Sequence, residues 1–115
     1  MELSNNEREI TPVMTWKNGT ETPLQILRLD NFNGYNFDNF GGFVHYMLVN
    51  YVETPQVDEN GAPVVDGNGD PVMTVTKTAL LDGTVELPET LVQSWGENDQ
   101  PIFDYVAQQL NLILI

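Results

Sequence analysis

The segment Phe43 to Val52 constrains the fold of this chain more than any other part of it. One alternating set holds Phe43, His45, Met47, Val49 and Tyr51, the other Val44, Tyr46, Leu48 and Val52, and both are largely apolar. A strand with one wet face shows apolar residues at every second position; a strand apolar on both faces has to be covered on both. A buried helix is the competing reading, but valine and aromatic content after Gly41-Gly42 favours a strand. The segment is therefore expected to be central, and the rest of the chain has to supply its neighbours and its covers.

Candidate neighbours lie on either side. Val13 to Lys17 and Thr20 to Leu29 flank Asn18-Gly19, the dipeptide that best supplies the positive φ angles of a two-residue hairpin turn, with Pro23 marking an edge or a bulge. Val72 to Leu81 sets Met73 and Val75 against Thr74, Thr76 and Thr78, a strand that can pair antiparallel with Phe43 to Val52 and that Asp82-Gly83 is expected to end. Thr84 to Leu87 reads as a further short strand. Pro88 to Trp95 reads as a short helix with Gly96 as a left-handed stop. A longer helix is expected over about 99–111: Asn98 or Asp99 can cap it, Pro101 lies in its first turn, and Ile102, Phe103, Val106, Ala107 and Leu110 form an apolar stripe that Asn111 ends. The expected fold class is α+β, a mainly antiparallel β-sheet with the C-terminal α-helix packed on one face.

The 115 residues, 41% of them apolar, allow one core. Residues 1–11 are polar and without periodicity, which predicts a mobile N-terminal arm ahead of a single β-rich domain over 12–115. Between Thr54 and Pro71 a motif repeats at an eight-residue offset: Asp58-Glu59-Asn60-Gly61-Ala62-Pro63-Val64, then Asp66-Gly67-Asn68-Gly69-Asp70-Pro71-Val72. Each copy is turn chemistry, so a projecting loop is expected over 54–71. The second copy opens like a calcium-binding loop, but the position that needs glycine is Pro71 and the position that needs a bidentate acid is Lys77, so no metal site is expected.

Seventeen Asp and Glu stand against Arg8, Lys17, Arg28 and Lys77, a formal charge of -13 that repels polyanions and argues against nucleic acid or an anionic membrane as partner. No run approaches membrane-spanning length, and the first nine residues lack the basic start and apolar stretch of a secretion signal, so a soluble protein is expected. With no cysteine there is no disulfide and no thiolate, and one histidine cannot build a closed zinc site. His45 lies in the most apolar segment with no nucleophile or acid at a recognisable spacing, so no catalytic residue and no cofactor is assigned.

Two segments are candidates for contact with a partner. Asp30 to Gly42 interleaves Phe32, Tyr35, Phe37 and Phe40 with asparagines and glycines, and aromatics in such number are buried either in the domain's own core or in an interface. Leu112-Ile113-Leu114-Ile115 places four large apolar residues directly after a helix. Each is worth roughly 1.5–3 kcal/mol if buried. Its sinks are a strand on the domain's own sheet, slightly the better structural reading, or a neighbouring subunit.

The stretch Asp82-Gly83-Thr84-Val85-Glu86-Leu87-Pro88-Glu89 resembles the hairpin of AbrB-type transition regulators, but the basic residues with which that family engages DNA are acids here, so the function is not carried over. The doubled Asp-x-Asn-Gly-x-Pro-Val loop and the Trp95-Gly96-Glu97-Asn98-Asp99 lead into a terminal helix resemble the style of small structural proteins of tailed bacteriophages, such as tail or neck accessory proteins. That resemblance implies a non-enzymatic virion component that contacts neighbouring protein subunits, further copies of itself among the candidates, through its arm, aromatic loop and C-terminus. The alternatives are a small ligand- or carbohydrate-binding or adhesion module using Phe32 to Phe40, and a small enzyme built around His45.

Overall fold

The computed structural model describes residues 1–34, 42–96 and 98–115. Strands β1 (Glu7–Lys17), β2 (Thr20–Gly34), β3 (Gly42–Pro55) and β4 (Met73–Leu87) precede helices α1 (Glu89–Ser94) and α2 (Gln100–Leu110). The strands form one antiparallel sheet in the order β1-β2-β3-β4, and β3 holds the central place its two apolar faces require. The fold is α+β and mainly sheet, as expected.

The helices cover one face. Ile102, Phe103, Val106 and Ala107 of α2 pack on Leu27, Leu29, Val44, Leu48, Val85 and Leu87 of the sheet. On the opposite face Ile26, Val49 and Tyr51 form a smaller buried group, with Met47 and Val75 against it. Residues ahead of β1 reach this second face, where the Glu2 N–H donates to the Tyr51 hydroxyl.

The sheet splits at one end, next to Pro23. The β2–β3 pairing runs from Gly34↔Gly42 to Ile26↔Val49 and stops there. The Pro23 carbonyl points toward β3, where it accepts from Asn50 Nδ2, so the N–H that proline lacks would have pointed the same way. Side chains finish what the backbone cannot: Tyr51 N–H donates to Gln25 Oε1 at 2.8 Å, and Gln25 Nε2 donates back to the Tyr51 carbonyl. Beyond this point β1–β2 and β3–β4 leave the core as two separate arms.

Several expectations are corrected. Of the mobile arm expected over residues 1–11, the part from Glu7 onward is paired in β1, with Glu7 and Ile10 buried. Strand β2 runs into the expected aromatic loop as far as Gly34, through a bulge between Asp30 and Asn33 at which Asn31 adopts φ 47°. Asp82-Gly83 does not end β4, which continues to Leu87 because the Tyr46 ring lies where a Cβ on residue 83 would be. Gly96 is not left-handed, and α1 closes on an extended Trp95. At α2 the Asn98 side chain accepts from the Gln100 N–H, while Asp99 turns to Trp95 Nε1. Asn111, at φ 58°, ends α2 as expected, and the Leu112 N–H folds back on the Ala107 carbonyl.

Candidate interaction surfaces

The expected partner-binding residues divide four ways. Phe32 is carried to the helix side of the sheet by the extra residue in the β2 bulge, and its ring meets Trp95 edge to face at 4.7 Å between centroids. Tyr35, Phe37 and Phe40 lie outside the described residues. Leu112 and Leu114 turn inward onto the core, and Ile10↔Leu114 is an antiparallel bridge held by Thr11 N–H to the Ile113 carbonyl and Ile115 N–H to the Glu9 carbonyl. Ile113 and Ile115 face outward, 66% and 74% exposed. The C-terminal run thus joins its own sheet by one side-chain set and presents the other to solvent.

Phe32 and Trp95 border a cavity of about 210 Å³, whose other walls include Leu29, Val44 and Ile102, with Asn6, Asn31 and Asp99 at its polar positions. That is below the roughly 300–1,000 Å³ usual for ligand pockets.

His45 is held on both sides. Nδ1 is 2.6 Å from Asp30 Oδ1 on β2 and Nε2 is 2.9 Å from Asp82 Oδ2 on β4, so the imidazole ties three strands together. The hydrogen bonds to Asp82 and then Asp30 outweigh the partial burial of the ring and raise its pKa above the usual 6.5. An imidazolium with both N–H groups engaged has no free nitrogen to take a proton from a substrate. The two carboxylates lie at opposite ring edges and do not converge on one point, and among the described residues no cluster of acids and histidine could hold a metal.

The sequence offered no sign of the strongest ionic site. Glu7, 1% exposed, accepts from Lys77 Nζ and Arg28 through separate carboxylate oxygens at 2.7 Å, and also from the Ser4 N–H. Glu7 and Lys77 belong to the two edge strands of a four-stranded sheet, so their ion pair reaches across its width. Burial raises the Glu7 pKa, but hydrogen bonds from Lys77, Ser4 and Arg28 dominate and lower it from 4.5 to about 2. Arg8, meanwhile, lies over the Phe103 ring at 4.2 Å and donates to Gln100. Three of the four cations are therefore used internally. Among the described residues Lys17 makes no ion pair, so the outer surface is more uniformly acidic than the composition suggests.

Many of the exposed apolar residues lie on the arms. Met14 and Trp16, the latter 74% exposed, share one face of the β1–β2 arm beside the Asn18-Gly19 turn. On the β3–β4 arm Val52, Val57, Val65 and Met73 are exposed. This arm ends in two small lobes, one for each sequence repeat. Asp58 Oδ1 accepts from the N–H groups of Asn60 and Ala62, and Asp66 Oδ1 from those of Asn68 and Asp70, with Gly61 and Gly69 at φ 79° and 83°. At the root of the lobes a ring of backbone hydrogen bonds closes: Val64 N–H to the Gln56 carbonyl, Val72 N–H to Val64, and Gln56 N–H to Val72, each 2.9 Å. The expected projection over 54–71 is exposed and hydrogen-bonded within itself. The Asn18-Gly19 hairpin of the β1–β2 arm was readable in the sequence, but the exposure of Trp16 beside its turn was not. Comparison with protein-family models, with curated proteins and with solved structures finds no match to this chain.

Proposed function

We propose that this chain is a non-enzymatic structural protein, a component of a larger assembly such as a tailed-phage virion, which grips neighbouring subunits with two β-arms. The observation that carries the reading is the shape. The radius of gyration is 18.0 Å and the extents are 63 × 36 × 22 Å, against about 13 Å for a compact chain of this length. A small domain that spends residues on long exposed arms gains no core from them, and apolar side chains along such arms favour contact with another surface. The acidic exterior favours neutral or basic neighbours over nucleic acid.

Mass spectrometry of particles purified from the protein's source tests this. The chain at fixed copy number in intact particles, lost when Met14 and Trp16 are both changed to Ser without a change in melting temperature, supports the reading. A chain found only in the soluble fraction overturns it.

The cavity at Phe32 and Trp95 favours a second reading, a binding module for a small ligand such as a sugar, since aromatic faces with a few polar groups suit one. In a Trp16→Phe variant Trp95 is the sole tryptophan. A saturable change in its fluorescence on addition of monosaccharides would support this reading over the first.

A further inference from the structure

A long stretch of each edge strand is free of acidic residues. Residues 10–20, which hold the free part of β1, and residues 71–81, which hold the first part of β4, contain no Asp or Glu in a chain that has seventeen. The β1 edge is short, because the C-terminal segment bridges it at Ile10 and Pro12 follows with no N–H to offer. The β4 edge is long. Among the described residues no segment pairs with its outer side, and from Met73 to Leu81 its residues are apolar or threonine except Lys77, whose amine is drawn inward to Glu7. An edge of this kind, rich in strand-forming residues and free of proline and glycine, is a template for another strand.

From this we infer that β4 pairs edge to edge with β4 of a second copy of the chain, antiparallel about a two-fold axis within Met73 to Leu81. Charge selects the occupant. A basic partner would be recognised by acids along the edge, yet the nearest acids, Asp70 and Asp82, fall outside the stretch. An edge cleared of acids, on a molecule of charge -13, suits a partner as acidic as the chain itself, since like charges directly opposite across a ladder are destabilising. Thr74, Thr76 and Thr78 then meet their counterparts across the axis on one face, as threonine pairs do in antiparallel sheets. The inference concerns self-pairing only, and it does not rest on the identity of a larger assembly.

Light scattering and sedimentation of the purified full chain at micromolar concentration test it. The expected species is a dimer of the 12.9 kDa chain. Thr76→Glu, which sets carboxylates near one another across the axis, is expected to weaken dimerisation at least about tenfold, equivalent to about 1.4 kcal/mol, with an unchanged melting temperature. The chain has no cysteine, so single-cysteine variants report cleanly. Under mild oxidation at least one of Thr74→Cys, Thr76→Cys and Thr78→Cys is expected to give a disulfide-linked dimer, and Lys17→Cys is not. A monomer at every concentration, a dimer that Thr76→Glu leaves intact, or equal cross-linking at Lys17→Cys would overturn the inference. If Thr76→Glu fails to fold, the cross-linking series alone decides. A monomer leaves the proposal for the arms standing, and loss of particle incorporation leaves the dimer standing.

Discussion

Single side chains show most clearly how sequence and structure part company in this protein. Glu7 reads as one more acid in a polar leader, because its partners lie far along the chain, at Arg28 and Lys77, and no local pattern announces them. Removing the carboxylate strands two cations, which keep some water contact. Glu7→Gln is therefore expected to cost about 2–4 kcal/mol, somewhat below the roughly 3–5 kcal/mol of a fully buried pair broken on one side. The folded pKa of about 2 lies below the ordinary 4.5, so this stabilisation is fully present above pH 4.5 and is lost as pH falls toward 2. Urea unfolding should show wild type and Glu7→Gln converging over that window, and a constant gap would show that Glu7 is not the titrating group. His45 has the opposite sign. Its pKa is raised, so its contribution is full below pH 6.5 and is lost as pH rises through the folded value. As the sole histidine it gives one pair of ring C–H signals in an NMR titration, expected to move with a midpoint above 6.5; Asp82→Asn should lower that midpoint, and a midpoint at or below 6.5 in wild type would mean the strand clamp does not form in solution.

At the scale of elements, the legible parts were those written in local periodicity and turn chemistry. The doubly apolar β3, the Asn18-Gly19 hairpin, the α2 stripe and its Asn111 stop were all readable, because each depends on residues within a turn or two of one another. Illegible were the places where a distant side chain overrides a local signal. Asp82-Gly83 has the composition of a strand terminus, but Tyr46 from β3 packs across Gly83 and keeps the strand extended. A Cβ there would be 2.7 Å from the Tyr46 hydroxyl and 2.9 Å from its ring. Gly83→Ala is accordingly expected to destabilise by about 1–3 kcal/mol, the usual cost of forcing extra volume into a packed site. The penalty should shrink when Tyr46→Leu is added, so that the double-mutant cycle shows favourable coupling. Additive losses would place the cost in the backbone instead. The same limit applied to the candidate interface. The aromatic count of the loop pointed first to the domain's own core and second to an interface, and Phe32 takes the first course, but the β2 bulge that turns it onto Trp95 leaves no signature beyond an asparagine tolerant of positive φ. In the C-terminal run the alternation of inward Leu112 and Leu114 with outward Ile113 and Ile115 was hidden, because all four residues are apolar.

For the whole molecule, the decisive feature is that folding energy and shape are separated. The buried core draws on β1 to β4 below the split at Pro23 and on the helices, whereas the two-lobed end of the β3–β4 arm is exposed and holds itself by backbone hydrogen bonds and the Asp58 and Asp66 side chains. Those carboxylate oxygens already accept amide protons within their own turns, so a turn rather than a cation accounts for both repeats. Millimolar calcium is expected to leave the melting temperature unchanged. Because the lobes contribute no residue to either buried cluster, replacing residues 57–71 with a two-residue Asn-Gly turn should leave thermal unfolding within a few degrees of wild type, a shift of under about 1 kcal/mol. The same excision should reduce the radius of gyration in small-angle scattering from the 18.0 Å of the intact chain, since it removes the exposed end of an arm that adds nothing to the core. A large loss of stability would mean that the ring of hydrogen bonds at Gln56, Val64 and Val72 organises the sheet beneath it. An intact chain already near the roughly 13 Å of a compact domain would mean that the arms fold back in solution. If instead stability holds and the molecule shortens, the arm is free of any duty to the core, and the excised protein becomes the reagent with which its contribution to assembly can be measured separately from folding.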